Sequence, residues 1–209
     1  MTTTTMTLVS PRLRQALYRL FAWLFLYPDD ERLELLRRGA AELLENTPLW
    51  EGMAYAGGLQ NVLATLAAMT PEQAEALRKE HMRLFVVKPL APPYESFYVA
   101  PDAEARGWVT VQMQRLYARH GLKMGELNEL PDHLAVELEF LSWLFEQEAD
   151  AQERSNMEQA GAMQEECENF LNRHLRRWLP ALAEKVRQGA PDGVYVPVMG
   201  ALLDFISQA

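Results

Sequence analysis

The chain has 209 residues, 49% of them hydrophobic, and a formal net charge of −9 at pH 7. This length and apolar content suffice for one hydrophobic core, or for two lobes that share one. The acidic balance argues against nonspecific nucleic-acid binding, which requires clustered Lys and Arg. The single cysteine, Cys167, excludes an intramolecular disulfide and a cysteine-rich zinc site.

The N-terminal residues show no targeting or membrane-spanning signal. Residues 1–10 are polar and Thr-rich, without the basic start and cleavage site of a secretory signal. The most apolar run, residues 16–27, is interrupted by Arg19 and is shorter than the roughly 20 residues that cross a bilayer. We therefore expect a soluble, cytoplasmic protein without stable membrane insertion.

Helix start signals recur through the first 85 residues, whereas strand signals are scarce. A Ser, Thr or Asp that can cap the first turn precedes three of the expected helices, and Pro opens two of them. Thr70 and Gln73 have the spacing of a capping box. The sequence therefore predicts four helices here, which begin near Pro11, Asp30, Leu59 and Pro71.

A segment rich in proline and aromatic residues follows, from residue 87 to residue 101. Its prolines forbid a continuous helix. A solvated linker would not usually carry so many large apolar groups, so we expect this loop to pack on the body or on a partner. The prolines are Pro89, Pro92, Pro93 and Pro101, and the large groups are Tyr94, Phe97, Tyr98 and Val99.

Two helices separated by a candidate hinge are expected next. The first passes through residues 109–117, and Gly121 ends it. The polar, acidic stretch around residues 121–131 is the candidate hinge. The second helix starts at Asp132, which Pro131 marks as an N-cap or first-turn residue. Its sequence is apolar nearly all round, which is typical of a central buried helix.

The C-terminal part predicts further helices. Residues 146–169 are strongly polar and indicate an exposed helical end with a loop. Residues 170–179 form one helical stripe, which Pro180 ends or kinks, and a last helix follows Gly193. The sequence thus predicts an all-α fold, a single helical domain over residues 1–209 with about nine to eleven helices. Two lobes joined by the hinge are the alternative arrangement.

No catalytic motif is present. Ser96 lacks the Gly-x-Ser-x-Gly setting of a nucleophile, and the glutamates that flank Cys167 raise a thiol pKa and favour an unreactive side chain. Gly57-Gly58 lacks the downstream lysine of a phosphate-binding loop. We therefore expect a protein that is not an enzyme and holds no cofactor.

The histidines offer one constellation with several interpretations. His133 and Glu137 lie one helical turn apart on one face, where they could bind a metal, act as acid and base, or simply hydrogen-bond. A metal would need about two further ligands. His174 is a candidate, although a core histidine bonded to a carboxylate or carbonyl is the simpler interpretation. His81 and His120 lie in polar surroundings and carry no signal.

A binding surface is the remaining candidate site. If Leu84 and Phe85 lay near the proline-aromatic loop and near Glu126, Glu129 and Asp132, they would form an apolar groove with a negative rim. Such a groove suits a peptide with a basic patch followed by an apolar stretch. The alternative is that the two apolar residues belong to the core and the acids to a solvated face.

Four stretches, in this order, resemble a known family. Residues 83–85 lead into the proline-aromatic loop, and Glu129-Leu130-Pro131-Asp132-His133 is followed by Glu137 and Phe140. Residues 170–180 and residues 195–206 complete the pattern. Together they resemble the redox-enzyme maturation chaperones of the TorD, DmsD and NarJ type, which serve molybdoenzymes.

The resemblance implies an all-α, non-catalytic protein, as a monomer or homodimer. It implies binding of the twin-arginine signal peptide or the apo catalytic subunit of a molybdopterin oxidoreductase. The chaperone would hold this precursor until the cofactor is inserted and so prevent premature export. A nitrate-reductase-type chaperone with a non-exported client is an alternative, and a GTP-binding module ranks lower because no phosphate loop is present. The residues implied to line the peptide site are Leu84, Phe85, Pro93, Tyr94, Leu130, Asp132 and His133.

Overall fold

The computed structural model describes residues 9–45, 53, 55–123 and 129–208. Within these ranges the chain forms ten α-helices and one π-helical segment, and its only β-type pairing is an isolated bridge between Tyr94 and His133. The all-α fold predicted from the sequence is confirmed. The elements are α1 (Pro11–Leu24), α2 (Asp30–Glu45), α3 (Ala56–Ala67), α4 (Pro71–His81), the π segment (Met82–Val86), α5 (Ser96–Val99), α6 (Ala103–Arg119), α7 (Leu134–Glu153), α8 (Met157–Arg173), α9 (Leu175–Gly189) and α10 (Tyr195–Ser207).

Side-chain caps begin the early helices where the sequence places them. The Ser10 hydroxyl accepts a hydrogen bond from the backbone N–H of Leu13 at 3.3 Å. Asp29 accepts from the backbone N–H three residues further on, at 2.8 Å. Thr70 and Gln73 form the reciprocal capping box, with bonds of 3.3 and 2.9 Å. These bonds satisfy N–H groups that have no partner inside a helix.

The C-terminal half departs from the sequence pattern at two places. The loop expected within residues 146–169 is only the turn between α7 and α8, because the polar side chains there lie largely on the solvent faces of two helices. The stripe over residues 170–179 is not one helix, because the chain breaks at His174, whose φ is −120° and ψ is −93°. Pro180 does not end a helix; it lies inside α9 with its ring exposed to solvent.

The long helix α7 forms the centre of the molecule. It is buried on nearly every side, as its apolar sequence predicts, and α1 and α8 pack along it. Phe205 of α10 closes the core, with ring centroids 4.9 Å from Tyr18 and 6.1 Å from Phe21 of α1. One continuous apolar cluster extends from Val9 to Ile206. In the part of the chain described, no helix is both long and apolar enough to cross a membrane.

Candidate functional site

The proline-aromatic loop lies against the start of α7. The backbone N–H of Leu134 donates to the carbonyl of Pro93 at 2.8 Å, and the N–H of Glu95 donates to the carbonyl of Asp132 at 2.9 Å. These bonds place residues 93–95 beside residues 132–134. The prediction that this loop packs on the body is confirmed.

Asp132 fastens this loop rather than capping α7. Its carboxylate is fully buried; one oxygen accepts from the backbone N–H of Ser96 at 3.2 Å and the other from the Thr110 hydroxyl at 2.9 Å. The N-cap of α7 is His133, whose Nδ1 accepts from the N–H of Ala135 at 3.1 Å. The sequence prediction for Asp132 is therefore wrong by one residue, because His133 is extended and the helix starts only after it.

A half-buried carboxylate lies next to this junction. The Tyr94 hydroxyl donates to Glu129 Oε2 at 3.1 Å, and the same oxygen lies 3.9 Å from Nε2 of His133. Burial lowers the pKa of His133 to about 3, so its ring is neutral at pH 7. Burial raises the pKa of Glu129, and the Tyr94 hydrogen bond partly offsets this rise. With 31% of its side chain exposed, Glu129 can meet a ligand from solvent.

Exposed apolar groups lie beside that carboxylate. Leu130 is 53% exposed and Phe97 is 50% exposed. The centroid of the Phe97 ring lies 6.1 Å from that of the Tyr94 ring. The guanidinium carbon of Arg106 stacks over the Phe97 ring, 4.9 Å from its centroid. We call Tyr94, Phe97, Glu129 and Leu130 the loop–α7 surface; it combines apolar groups with an accessible acid.

The structure brings together five of the seven residues that the resemblance implies: Pro93, Tyr94, Leu130, Asp132 and His133. Of these five, Tyr94 and Leu130 reach solvent and the other three are buried. Leu84 and Phe85 lie in the core. The Phe85 ring packs on Phe25 and Tyr195. For Leu84 and Phe85 the structure therefore agrees with the alternative that they belong to the core rather than to an apolar groove. Glu126 and part of the candidate hinge, residues 124–128, lie outside the described residues.

A buried polar cluster behind the loop was not predicted as a group. Both carboxylate oxygens of Glu95 lie within 3.1 Å of Nδ1 of His174, which confirms the predicted bond to a carboxylate. His174 lies at the edge of the core, with 19% of its side chain exposed. Glu137 accepts from the Trp178 indole N–H at 3.2 Å. Burial and the neighbouring charge of Glu95 raise the pKa of Glu137 well above its usual range. Local sequence could not join Glu95 to His174, because 79 positions separate them.

The proposed metal ligands do not form one site in the described part of the chain. His133, Glu137 and His174 each have a different partner. Among the described side chains, no group of three or more His, Cys, Asp or Glu could hold a metal ion. Burial, more than its acidic neighbours, raises the pKa of the Cys167 thiol.

His81 corrects a further prediction. It lies in the core rather than in polar surroundings, with Nδ1 3.0 Å from the Tyr195 hydroxyl. Its ring also meets the Phe85 ring edge-on, at 5.2 Å. The polar residues next to it in sequence belong to the exposed face of α4. Sequence neighbours therefore do not indicate that His81 lies on the buried face of the same helix.

The chain belongs to the family described as nitrate reductase delta subunit, whose model matches residues 52–184. It is 34% identical over 116 residues to the chaperone protein TorD of Vibrio parahaemolyticus, which is 55% of this chain and 53% of that protein, so the chain spans about half the length of that relative. The chaperone protein TorD of a Psychrobacter species is 28% identical over 207 residues, 93% of this chain and 89% of that one.

The fold also has a counterpart of known structure. A crystal structure of a candidate redox enzyme maturation protein from Archaeoglobus fulgidus superposes with a TM-score of 0.59, over 92% of this chain and 93% of that one, at 24% identity. At this identity the match supports the fold alone. Together with the family match and the TorD relatives, it agrees with the resemblance that the sequence motifs indicate.

Proposed function

We propose that this protein is a cytoplasmic, non-catalytic chaperone for the catalytic subunit of a molybdopterin oxidoreductase. As a monomer or homodimer, it holds the precursor by its twin-arginine signal peptide, its apo subunit or both. The precursor is released for export after the cofactor is inserted. Family membership and the TorD relatives support the class of function.

The observation that carries the peptide-binding proposal is the loop–α7 surface. A twin-arginine leader offers guanidinium groups followed by an apolar stretch. Glu129 supplies an accessible carboxylate for a bidentate arginine contact, and Phe97 and Leu130 supply exposed apolar area. The buried residues implied by the family, Asp132 among them, support the loop from behind. The net charge of −9 favours encounter with a basic peptide.

The first experiment titrates the purified protein with a labelled twin-arginine signal peptide and with the full apo subunit. We expect Glu129→Gln and Leu130→Ser each to weaken peptide binding by roughly tenfold, because each removes one kind of contact. Glu165→Gln and Leu35→Ser are the matched controls, since both change exposed side chains away from this surface. Absence of binding by both peptide and apo subunit would show that the proposal is wrong.

The family description favours a second candidate, a chaperone for a nitrate-reductase-type subunit that is not exported. In that case the apo subunit binds and the signal peptide does not. Binding of the isolated signal peptide in the same titration would exclude this second candidate, because each ligand is measured alone against the same protein.

A further inference from the structure

A short apolar loop, residues 86–90, follows α4 along the chain and begins at the end of the π segment. The backbone N–H of Ala91 donates to the carbonyl of Leu84 at 2.9 Å, and both residues are fully buried. Between these two anchors, Val86 and Leu90 are each 49% exposed and Val87 is 61% exposed. Clustered exposed apolar groups of this kind usually mark an interaction site.

The charges around this loop are positive. Arg83 and Lys88 are exposed, and neither has an ion-pair partner among the residues that the structure describes. Lys79 approaches Glu75, at 3.6 Å. In a chain with a net charge of −9, unpaired cations next to exposed apolar groups favour an acidic partner.

A groove of about 450 Å³ lies along α4 and the π segment, with Val87 of this loop and Tyr27, just beyond α1, also in its lining. Three of its lining residues are aromatic or apolar, three are cationic and one is acidic. Two of the cations, Arg78 and Lys79, already pair with Asp30 and Glu75, so Arg83 is the cation best placed to attract a carboxylate. The lining residues are Tyr27, Glu75, Arg78, Lys79, Met82, Arg83 and Val87. We call it the Val87 groove.

We propose that the Val87 groove binds an acidic segment of a partner protein, anchored by a large apolar side chain. None of its lining residues is among the seven implied for the signal peptide. Its positive charge repels a twin-arginine leader, so the two surfaces would take ligands of opposite sign. An anionic bilayer is a less suitable occupant, because the net charge of −9 opposes approach to it. The proposal stands independently of the proposed function.

The test uses a labelled peptide in which Asp and Glu alternate with Leu and Phe, measured by fluorescence anisotropy. Two control peptides replace its acids by Lys or its apolar residues by Ser. We expect Arg83→Glu and Val87→Asp each to weaken binding of the acidic peptide by roughly tenfold. Both side chains are exposed, so the variants should fold, which melting curves check. The matched control is Arg154→Glu, an exposed cation that does not line the groove.

Hydrogen exchange locates the contact. Protection of residues 82–90 by the acidic peptide, and unchanged affinity of both groove variants for the twin-arginine peptide, would support a separate site. The proposal is overturned if the wild-type protein does not bind the acidic peptide, binds the Lys peptide equally well, or loses nothing in the groove variants.

Two other occupants give different results, and each would also overturn the proposal. If Val87→Asp abolishes binding to vesicles that contain phosphatidylglycerol while the acidic peptide does not bind, the groove faces a membrane. If Val87→Asp converts a dimer to a monomer in sedimentation, the groove is an interface between two copies of this chain.

Discussion

Glu137 of α7 is fully buried in the core of the molecule, although glutamate is seldom buried without a charged partner. One carboxyl oxygen accepts from the Trp178 indole, and the other has no hydrogen-bond partner among the described residues. Burial and the charges of Glu95 and Asp132 raise its pKa. Burial and the two charges favour the protonated acid and outweigh the Trp178 hydrogen bond, which favours the carboxylate, so the net effect on the pKa is a rise.

We predict that Glu137→Gln gains stability relative to the wild-type protein as the pH rises. Because the pKa of Glu137 is raised in the folded state, its contribution is fully present below the unfolded value and is lost as the pH rises towards the folded value. Glutamine does not titrate, so the difference in unfolding free energy should grow by up to about 1.4 kcal/mol per pH unit. Urea denaturation at several pH values measures it. A difference independent of pH would contradict the assignment.

At the scale of the element, the proline-aromatic loop shows what local sequence can and cannot predict. Its prolines exclude a continuous helix, and only the four-residue helix α5 forms there; its aromatic content predicts packing, and both expectations agree with the structure. The role of Asp132 could not be predicted, because capping preferences concern the next few residues, whereas Ser96 is 36 positions away. The break at His174 was missed for a similar reason, since the Glu95 side chain that bonds it lies on a distant loop. By contrast, the Thr70–Gln73 cap was predictable because both partners are local.

We predict that Asp132→Ala loosens the loop without unravelling the start of α7. The variant leaves the buried N–H of Ser96 without its acceptor, which costs about 1–3 kcal/mol. Asp132→Asn keeps one acceptor oxygen and should cost less. Amide hydrogen exchange should accelerate in residues 94–99, while the first turn of α7 stays protected by the His133 cap. Faster exchange at residues 135–137 instead would assign the cap to Asp132.

At the scale of the whole molecule, helix periodicity and caps predict the all-α class because each signal is local and repeated along the chain. The site is less accessible to such reasoning. The sequence places Leu84 and Phe85 beside the loop, but their apolar character is equally typical of core residues, and the structure buries both. Glu129 and Asp132 are both acids of one short segment, and their different exposure depends on how the loop and α7 pack together. The two surfaces of opposite charge likewise follow from tertiary placement, since the net charge of −9 alone gives no hint of a basic groove.

The burial of two histidines, His81 and His133, contributes acid sensitivity to the folded state. Burial lowers the pKa of His81 to about 4 and that of His133 to about 3, from the ordinary value of about 6.5. At these two rings the unfolded chain therefore binds more protons than the folded chain below about pH 6.5. The stability that these neutral rings contribute is complete above that pH and is lost as the pH falls towards 4. Glu137 acts with the opposite sign, so the wild-type curve alone cannot separate the two effects.

We therefore predict that variants without these histidines lose less stability on acidification than the wild-type protein. His133→Asn keeps a side-chain acceptor for the first turn of α7 but does not titrate near neutral pH. His81→Gln removes the second group. Between about pH 6.5 and pH 5, each substitution should reduce the loss of unfolding free energy by up to about 1.4 kcal/mol per pH unit. Chemical denaturation of both single variants and of the double variant measures this. Because the charge of His81 is itself one of the causes that lower the pKa of His133, we expect the two reductions to be coupled rather than additive. An unchanged pH slope in the double variant would show that other groups cause the acid sensitivity.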